Sequence, residues 1–299
     1  FEYFMMEYDY FQRTVKEQVL NLTHEQKTDL WKALQENYLP ENRVYKYDFF
    51  FDNCATRIRD VMQNVIGEKL VLKAHPNENE YSLRELLNIA VSDLPWLGLG
   101  MDLALGSKVD IKADNNKMMF LPKYMYEIYT DSEVLINGKS QPLVLSERTL
   151  INGINHEAES SFWSSPNFIF WSLFFISISL TIAKIRFLTK FWDGLLLLIF
   201  GVLGFVILFL WFGTDHATMR PNFNVLWANP LYLFFIIPLM SEKLHNKLNK
   251  AYLVMSVLLI LVIFGAMIIP QEFNSATSPI ILIFTFKFFY WYKETKRVV

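Results

Sequence analysis

Residues 193–212 read DGLLLLIFGVLGFVILFLWF, a long and almost uninterrupted apolar run. An α-helix rises about 1.5 Å per residue and the hydrocarbon core of a bilayer is about 30 Å thick, so about 20 apolar residues can cross it. The run therefore predicts a membrane-spanning helix. Phe, Leu, Ile, Val and Trp dominate the whole of 168–292, whereas 1–165 carry scattered charges. We interpret the chain as a water-soluble domain followed by a membrane domain.

The membrane half contains several apolar segments: 168–183, 193–212, 225–240, 251–269 and 279–292. The third and fifth are short, and Asn229-Pro230 is expected to interrupt the third. These segments predict an all-α bundle of about five transmembrane helices, and we assign the domains as 1–150 soluble, 151–166 linker, 167–292 transmembrane and 293–299 tail.

Basic residues predict the orientation of the bundle. They cluster in alternate connections: Lys184, Arg186 and Lys190; Lys243, Lys247 and Lys250; Lys293, Lys296 and Arg297. The only basic residue in the connections between them is Arg220. Because basic loops stay in the cytoplasm, this alternation places the C-terminus there and residues 1–165 outside. A buried helical bundle in a soluble protein is the alternative, but it does not explain the alternation.

Composition narrows the functional classes. The formal net charge is −2, which gives no indication of a nucleic-acid surface. The single cysteine cannot form an internal disulfide. The dispersed histidines lack zinc-ligand spacing, so we predict neither a metal nor a cofactor: they are His24, His75, His156, His216 and His245.

Residues 45–59 read YKYDFFFDNCATRIR and contain Cys54, the only cysteine. The pattern predicts a strand, a sharp turn and a helix with Cys54 in its first turn. A helix N-terminus has partial positive charge and free N–H groups, which favour a reactive thiolate. The alternative is a buried small hydrophobe.

The same helix is expected to be capped by Asp52 or Asn53, and to stop at Gly67. Arg57 is expected to be exposed or paired with an acid. The predicted apolar stripe consists of Ala55, Ile58, Met62 and Val65.

Other local signals lie on either side. Thr23 and Gln26 predict a capping box for a helix ending near Asn37, with Leu30, Trp31 and Leu34 as its apolar face. Asn137-Gly138 predicts a hairpin turn. The glycines between 98 and 106 are expected to allow close helix–helix or helix–membrane contact.

The connection 213–230 is rich in polar groups for a membrane protein. Asp215 and His216 could bind a lipid headgroup or assist catalysis, or they could cap helix ends, and the second interpretation is favoured because no partner is identifiable.

Several of these motifs together resemble a known family. Tyr45-x-Tyr47-Asp48-Phe-Phe-Phe-Asp52-Asn53-Cys54-Ala55-Thr56-Arg57, Asn21-Leu-Thr, Trp96 through Gly106 and Met119-Phe-Leu-Pro122 resemble the extracytoplasmic domain of Lnb-type bacterial lipoprotein N-acyltransferases. The loop with Thr214-Asp215-His216, Asn222, Asn224, Leu226 and Trp227 resembles the membrane domain that follows it.

The resemblance implies an α+β, circularly permuted papain-like domain outside the inner membrane of a bacterium, followed by the helical bundle with a cytoplasmic C-terminus. It implies that Cys54 carries a fatty acyl group as a thioester and passes it to the N-terminal amine of a lipoprotein. A phospholipid or a diacylglyceryl-lipoprotein is the implied substrate, and the bilayer is the implied partner. The implied supporting or substrate-binding residues are Asn53, Asp52, Tyr47, Arg57, Asp215, His216 and Asn224.

One departure from the family pattern concerns the base. The family's histidine precedes the Asn-Cys segment, and here only His24 precedes it, within a capping box. Because the chain opens at Phe1 inside a helix-like pattern, we expect the base and the first strands in a missing N-terminal part. A cysteine hydrolase of the same fold, or a non-enzymatic membrane-anchored binding protein, are the alternatives.

Overall fold

The computed structural model describes residues 1–154 and 161–296, which form two compact units. The first unit contains Phe1–Leu86 together with the stretch from Ile111 to 154. The second contains Leu87–Asp110 and the helical half from 161 onward. Leu87–Asp110, whose residue pattern suggested the soluble half, therefore makes most of its contacts within the helical half.

The first unit combines helices with short strands. Its helices are α1 Glu2–Tyr10, α2 His24–Tyr38, α3 Cys54–Ile66, α4 Leu83–Ala90, which runs into the second unit, α6 Asn115–Met118 and α7 Pro122–Asp131. Its strands are β1 Val15–Leu20, β2 Leu70–Val71, β3 Glu133–Ile136, β4 Lys139–Pro142 and β5 Val144–Ile151. β1 pairs antiparallel with β5, and β2, β3 and β4 form a second antiparallel sheet in that order.

Several local predictions are confirmed. Thr23 and Gln26 form the capping box of α2, which ends at Tyr38. Asn137 and Gly138 both have positive φ and join β3 to β4, as a tight hairpin turn requires. Gly67, with φ of +62°, ends α3.

The predicted apolar faces are less buried than expected. Ile58 on α3 is 54% exposed, although Ala55 and Met62 of the same stripe are buried. Trp31 and Leu34 on α2 are also exposed. The core of this unit is instead formed largely by other elements, with Leu83, Leu86, Met118, Phe120, Ile128 and Val134 fully buried.

The first helix that lies wholly in the second unit is α5, Pro95–Ala104. Its remaining helices are α8 Pro166–Ile182, α9 Arg186–Phe212, α10 Tyr232–Met240, α11 Glu242–Lys247, α12 Asn249–Gly265 and α13 Ser278–Lys296. Residues 155–160 of the predicted linker and residues 297–299 of the predicted tail lie outside the described residues.

Helix lengths bear on the predicted number of spans. Among the described residues, α9 is long and apolar enough to cross a bilayer, and α8 and α12 are shorter apolar helices. The predicted third span contains only the nine-residue α10, which at about 1.5 Å per residue is too short to cross alone. Five spans therefore remain a prediction.

Aromatic side chains form the centre of the helical half. Tyr232, Tyr252, Phe284 and Phe288 are fully buried, and the Tyr232 ring stacks on Phe284 with centroids 4.3 Å apart. Close backbone approach is made at Gly204 of α9, where a Cβ atom would lie 2.1 Å from the carbonyl oxygen of Ala228. Helix α9 therefore packs directly on the loop before α10.

Candidate active site at Cys54 and the polar loop network

Cys54 is the first residue of α3 and is exposed. This confirms the predicted position at a helix N-terminus and excludes the buried small hydrophobe. Exposure at this position leaves the thiol open to a substrate, and the thiol lies at the positive end of the helix dipole.

Asn53 is the cap of this helix and is buried. Its Oδ1 accepts hydrogen bonds from the backbone N–H groups of Ala55 and Thr56, both at 2.8 Å. Its Nδ2 donates to the carbonyl oxygens of Phe49, at 2.8 Å, and Phe120, at 2.9 Å. The same amide therefore caps α3 and fixes the segment before Cys54 to the segment before α7.

The predicted strand before Cys54 does not form. Asp48 and Asp52 instead exchange backbone hydrogen bonds, both at 3.0 Å, which closes a tight turn around the three phenylalanines. The Asp48 carboxylate accepts from the N–H groups of Phe50 and Phe51 within that turn. A side chain that satisfies local N–H groups competes with strand pairing, which is the physical reason for the difference.

Asp52 and Arg57, which lie on either side of Cys54 in the sequence, form an ion pair. Arg57 Nη2 donates to Asp52 Oδ2 at 2.8 Å, and Nε donates to the other carboxylate oxygen. The Arg57 guanidinium also lies over the Tyr45 ring, 4.0 Å from its centroid. The expected pairing of Arg57 with an acid is thus observed, and it fixes the guanidinium in one orientation.

Tyr47 lies within electrostatic reach of Cys54. Desolvation is the largest cause that raises the pKa of Tyr47 above its ordinary value, and electrostatic interactions with Cys54, Tyr45 and Asp48 raise it further. The phenol is protonated near neutral pH, as tyrosines ordinarily are, and can act as a hydrogen-bond donor.

Two histidines of this unit are placed as structural groups. His24 opens α2, as its capping box predicts. His75 uses both ring nitrogens: Nδ1 accepts from the N–H of Asn77, and Nε2 lies 3.3 Å from a carboxylate oxygen of Glu127. His75 is thus already engaged on both sides.

A polar network lies within the second unit, on the loop 213–230. Asn224 is buried, and its Nδ2 donates to the carbonyl oxygen of Asp102 at 2.9 Å. Asn222 donates to the carbonyl oxygens of Leu103 and Ala104, and Gln271 donates to that of Leu105. These side chains satisfy carbonyl groups that the C-terminal end of α5 leaves free.

The same loop accommodates Gly106 by backbone contact. A Cβ atom there would lie 2.4 Å from the carbonyl oxygen of Pro221. Of the glycines between 98 and 106, Gly106 is therefore the one that needs to be small. Asp215 and His216 are both exposed on this loop.

The residue pattern did not draw attention to Asp102, Asp193 or Lys287, all of which are buried. Lys287 Nζ on α13 forms an ion pair with Asp193 Oδ1 on α9 at a distance of 2.7 Å. The same Nζ donates a hydrogen bond to Thr181 Oγ1 on α8. Asp193 and Lys287 lie inside apolar segments of the sequence. Charged residues at such positions indicate a buried pair or a functional site, because an unpaired charge is costly there.

The mixed domain exposes a cysteine at a helix N-terminus, and it is joined to an apolar helical domain. Together these features define a membrane-attached protein with a candidate thiol site. Residues 1–88 match the family model described as the Lnb N-terminal periplasmic domain, and residues 157–298 match the one described as the Lnb transmembrane domain. The chain belongs to the Lnb family. It is a membrane protein whose N-terminal domain lies outside the cytoplasm. Searches of curated proteins and of solved structures gave no significant match.

Proposed function

We propose that this protein is a membrane-bound cysteine acyltransferase that moves a fatty acyl group to the N-terminal amine of a bacterial lipoprotein. The observation that carries the proposal is Cys54, exposed at the start of α3 in a chain that both Lnb family models match. The family also supports a lipid substrate, for which we propose a phospholipid or a diacylglyceryl-lipoprotein as acyl donor. We place the protein in the inner membrane, with its C-terminus in the cytoplasm.

The reaction has two steps. In the first, the Cys54 sulfur attacks the ester carbonyl of the donor, the ester C–O bond breaks, and a thioester forms while the thiol proton ends on the departing hydroxyl. In the second, the lipoprotein amine attacks the thioester, an amide forms, and the thiol is regenerated with a proton from the amine. Cysteine suits both steps because its thiolate is a good nucleophile and also leaves readily.

The residues around Cys54 have separate proposed roles. Asn53 positions Cys54 by fixing the turn before it, and Asp52 orients the Arg57 guanidinium near the start of α3. Tyr47 supplies a protonated phenol that can donate to an oxygen on the reacting group. Each of these groups acts within the first unit.

The loop residues are proposed to act differently from one another. Asn224 is a positioning residue, since its amide holds the loop to Asp102 of α5. Asp215 and His216 are exposed, which suits a contact with a lipid headgroup.

The test is mass spectrometry of lipoprotein N-terminal peptides from cells whose only lipoprotein N-acyltransferase is this protein. We expect N-acylated peptides with the wild-type protein and none with Cys54→Ala at an equal protein level. Asn64→Ala, exposed in the last turn of the same helix, is the matched control and should retain transfer. N-acylation by Cys54→Ala would exclude Cys54 as the nucleophile.

A second measurement separates the alternatives. Cells fed an alkyne fatty acid should yield a hydroxylamine-sensitive label on the wild-type protein and none on Cys54→Ala. A label without N-acylated lipoprotein, together with released fatty acid, would indicate a cysteine hydrolase instead. No label and no transfer would indicate a binding protein.

A further inference from the structure

Helix α5 is held firmly at one end and exposes apolar side chains at the other. Its C-terminal carbonyl groups are bonded by Asn222, Asn224 and Gln271, as described above. Its inward face is also fixed, because the buried Asp102 carboxylate accepts from Asn274 at 2.7 Å and from Asn88 at 3.2 Å. The orientation of the whole helix is therefore set by buried polar contacts within the second unit.

The N-terminal end of α5 projects large apolar groups outward. Leu94 is 50% exposed, Trp96 46% and Leu97 44%. On the opposite face Leu99 is buried, and Leu103 packs against the aromatic core of the helical half. The helix thus has one apolar face inside the protein and a second apolar surface at its outward end.

This surface continues onto the start of α8. Trp96 Nε1 donates to the carbonyl oxygen of Ser164 at 2.7 Å, and its ring meets Phe170 of α8 edge-on with centroids 6.0 Å apart. The turn Phe162–Ser164, which precedes α8, carries Phe162, 66% exposed, and Trp163, 69% exposed. Both rings pack on Phe168 in the first turn of α8.

The chemistry of the surface suits one partner. Trp is enriched where a bilayer meets water because its ring is apolar and its indole N–H is polar. Here Trp163 lies just before the apolar helix α8, within the residues matched as transmembrane, and Trp96 of α5 contacts Ser164 and Phe170 at the same place. The exposed groups are therefore continuous with a surface that lipid covers.

We propose that the N-terminal end of α5 and the turn Phe162–Ser164 form a membrane-interface anchor, seated at the headgroup–acyl boundary of the leaflet on the extracytoplasmic side. The occupant of this surface is lipid. The anchor fixes the depth of α5, and through its polar contacts it fixes the depth of the loop 213–230 as well.

Site-directed fluorescence tests the proposal, and the single native cysteine makes it practicable. In a Cys54→Ser background, Leu97→Cys carries an environment-sensitive nitrobenzoxadiazole label, and the protein is reconstituted into phosphatidylglycerol–phosphatidylethanolamine vesicles. Phe162→Cys provides an independent second position. Lys108→Cys, exposed on the same segment beyond α5, is the aqueous control, and Phe205→Cys, exposed on α9, is the deep control.

We expect lipids with a nitroxide near the headgroup to quench the labels at 97 and 162 at least twofold more than lipids with a nitroxide deep in the chain. The label at 205 should show the reverse order, and the label at 108 should respond to aqueous iodide. If the labels at 97 and 162 respond to iodide as the label at 108 does, and not to nitroxide lipids, the anchor is excluded. The readout does not depend on acyl transfer, so it stands apart from the proposed function.

Discussion

Asn53 joins two parts of the first unit through one buried amide. Its oxygen satisfies N–H groups at the start of α3, and its nitrogen satisfies the carbonyl groups of Phe49 and Phe120. An ordinary helix cap needs only the oxygen. The residue next to Cys54 is therefore held by contacts from both sides, which suits the proposed role of Cys54 as a nucleophile.

Asn53→Ala should loosen α3 more than the loss of a cap alone. A cap contributes about 1 kcal/mol, and leaving buried carbonyl groups unpaired costs about 1–3 kcal/mol, so we expect a local loss of roughly 2–4 kcal/mol. Hydrogen–deuterium exchange of the α3 amides should then become roughly 30- to 1000-fold faster.

Thr23→Ala is the control for a cap alone, since the Thr23 hydroxyl accepts from the N–H of Gln26 at the start of α2. It should speed exchange of the α2 amides by about tenfold or less and leave α3 protected. Equal exchange of α3 in Asn53→Ala and in the wild-type protein would contradict the bridging role.

At the scale of elements, an ion pair fixes three helices of the membrane half to one another. Lys287 of α13 contacts Asp193 of α9 and Thr181 of α8, and all three side chains are buried. Next to it, Trp192 Nε1 donates to Ser177 Oγ across α9 and α8. Polar contacts between helices give register that apolar packing alone leaves weakly defined.

Lys287→Met should destabilise the bundle because it leaves the Asp193 carboxylate buried without its cation. Breaking a buried pair in this way costs about 3–5 kcal/mol, whereas replacing both partners by apolar residues is often neutral. We therefore expect a lower thermal unfolding midpoint in detergent for Lys287→Met, and recovery of most of that loss in Asp193→Leu/Lys287→Met. A double variant as unstable as the single one would show that the pair does not act as a unit.

At the scale of the whole molecule, two features bear on the path of the chain through the bilayer: the charge of the connections and the lengths of the helices. The alternating basic connections predict that every apolar segment crosses. The helix in the third segment, α10, has only nine residues, and the loop before it is folded onto the segment from Asp102 to Ser107. The charge pattern thus predicts that this segment crosses the bilayer, whereas the length of α10 predicts that this helix does not cross alone.

Cysteine accessibility decides between them. Arg220 and Lys243 are exposed on either side of the third segment. In a Cys54→Ser background and in intact spheroplasts, a membrane-impermeant maleimide should label Arg220→Cys at once and Lys243→Cys only after permeabilisation. Labelling of both without permeabilisation would mean that the segment enters and leaves on the same side.

The sequence alone determined the features that depend on neighbouring residues. The division into a polar and an apolar half, the capping box at Thr23 and Gln26, the hairpin at Asn137-Gly138 and the position of Cys54 in a first helical turn are all local in origin. The Lnb resemblance also rested on motifs readable along the chain, and the family matches confirm it.

Only the tertiary structure decided the contacts between distant segments. The turn around Phe49–Phe51 replaced a predicted strand because Asp48 satisfies the local N–H groups. The assignment of α5 to the helical half depends on Asn222, Asn224 and Gln271, which lie more than 100 residues further along the chain. The physical reason is that a buried carbonyl group needs a donor, and which donor reaches it depends on the fold rather than on the adjacent sequence.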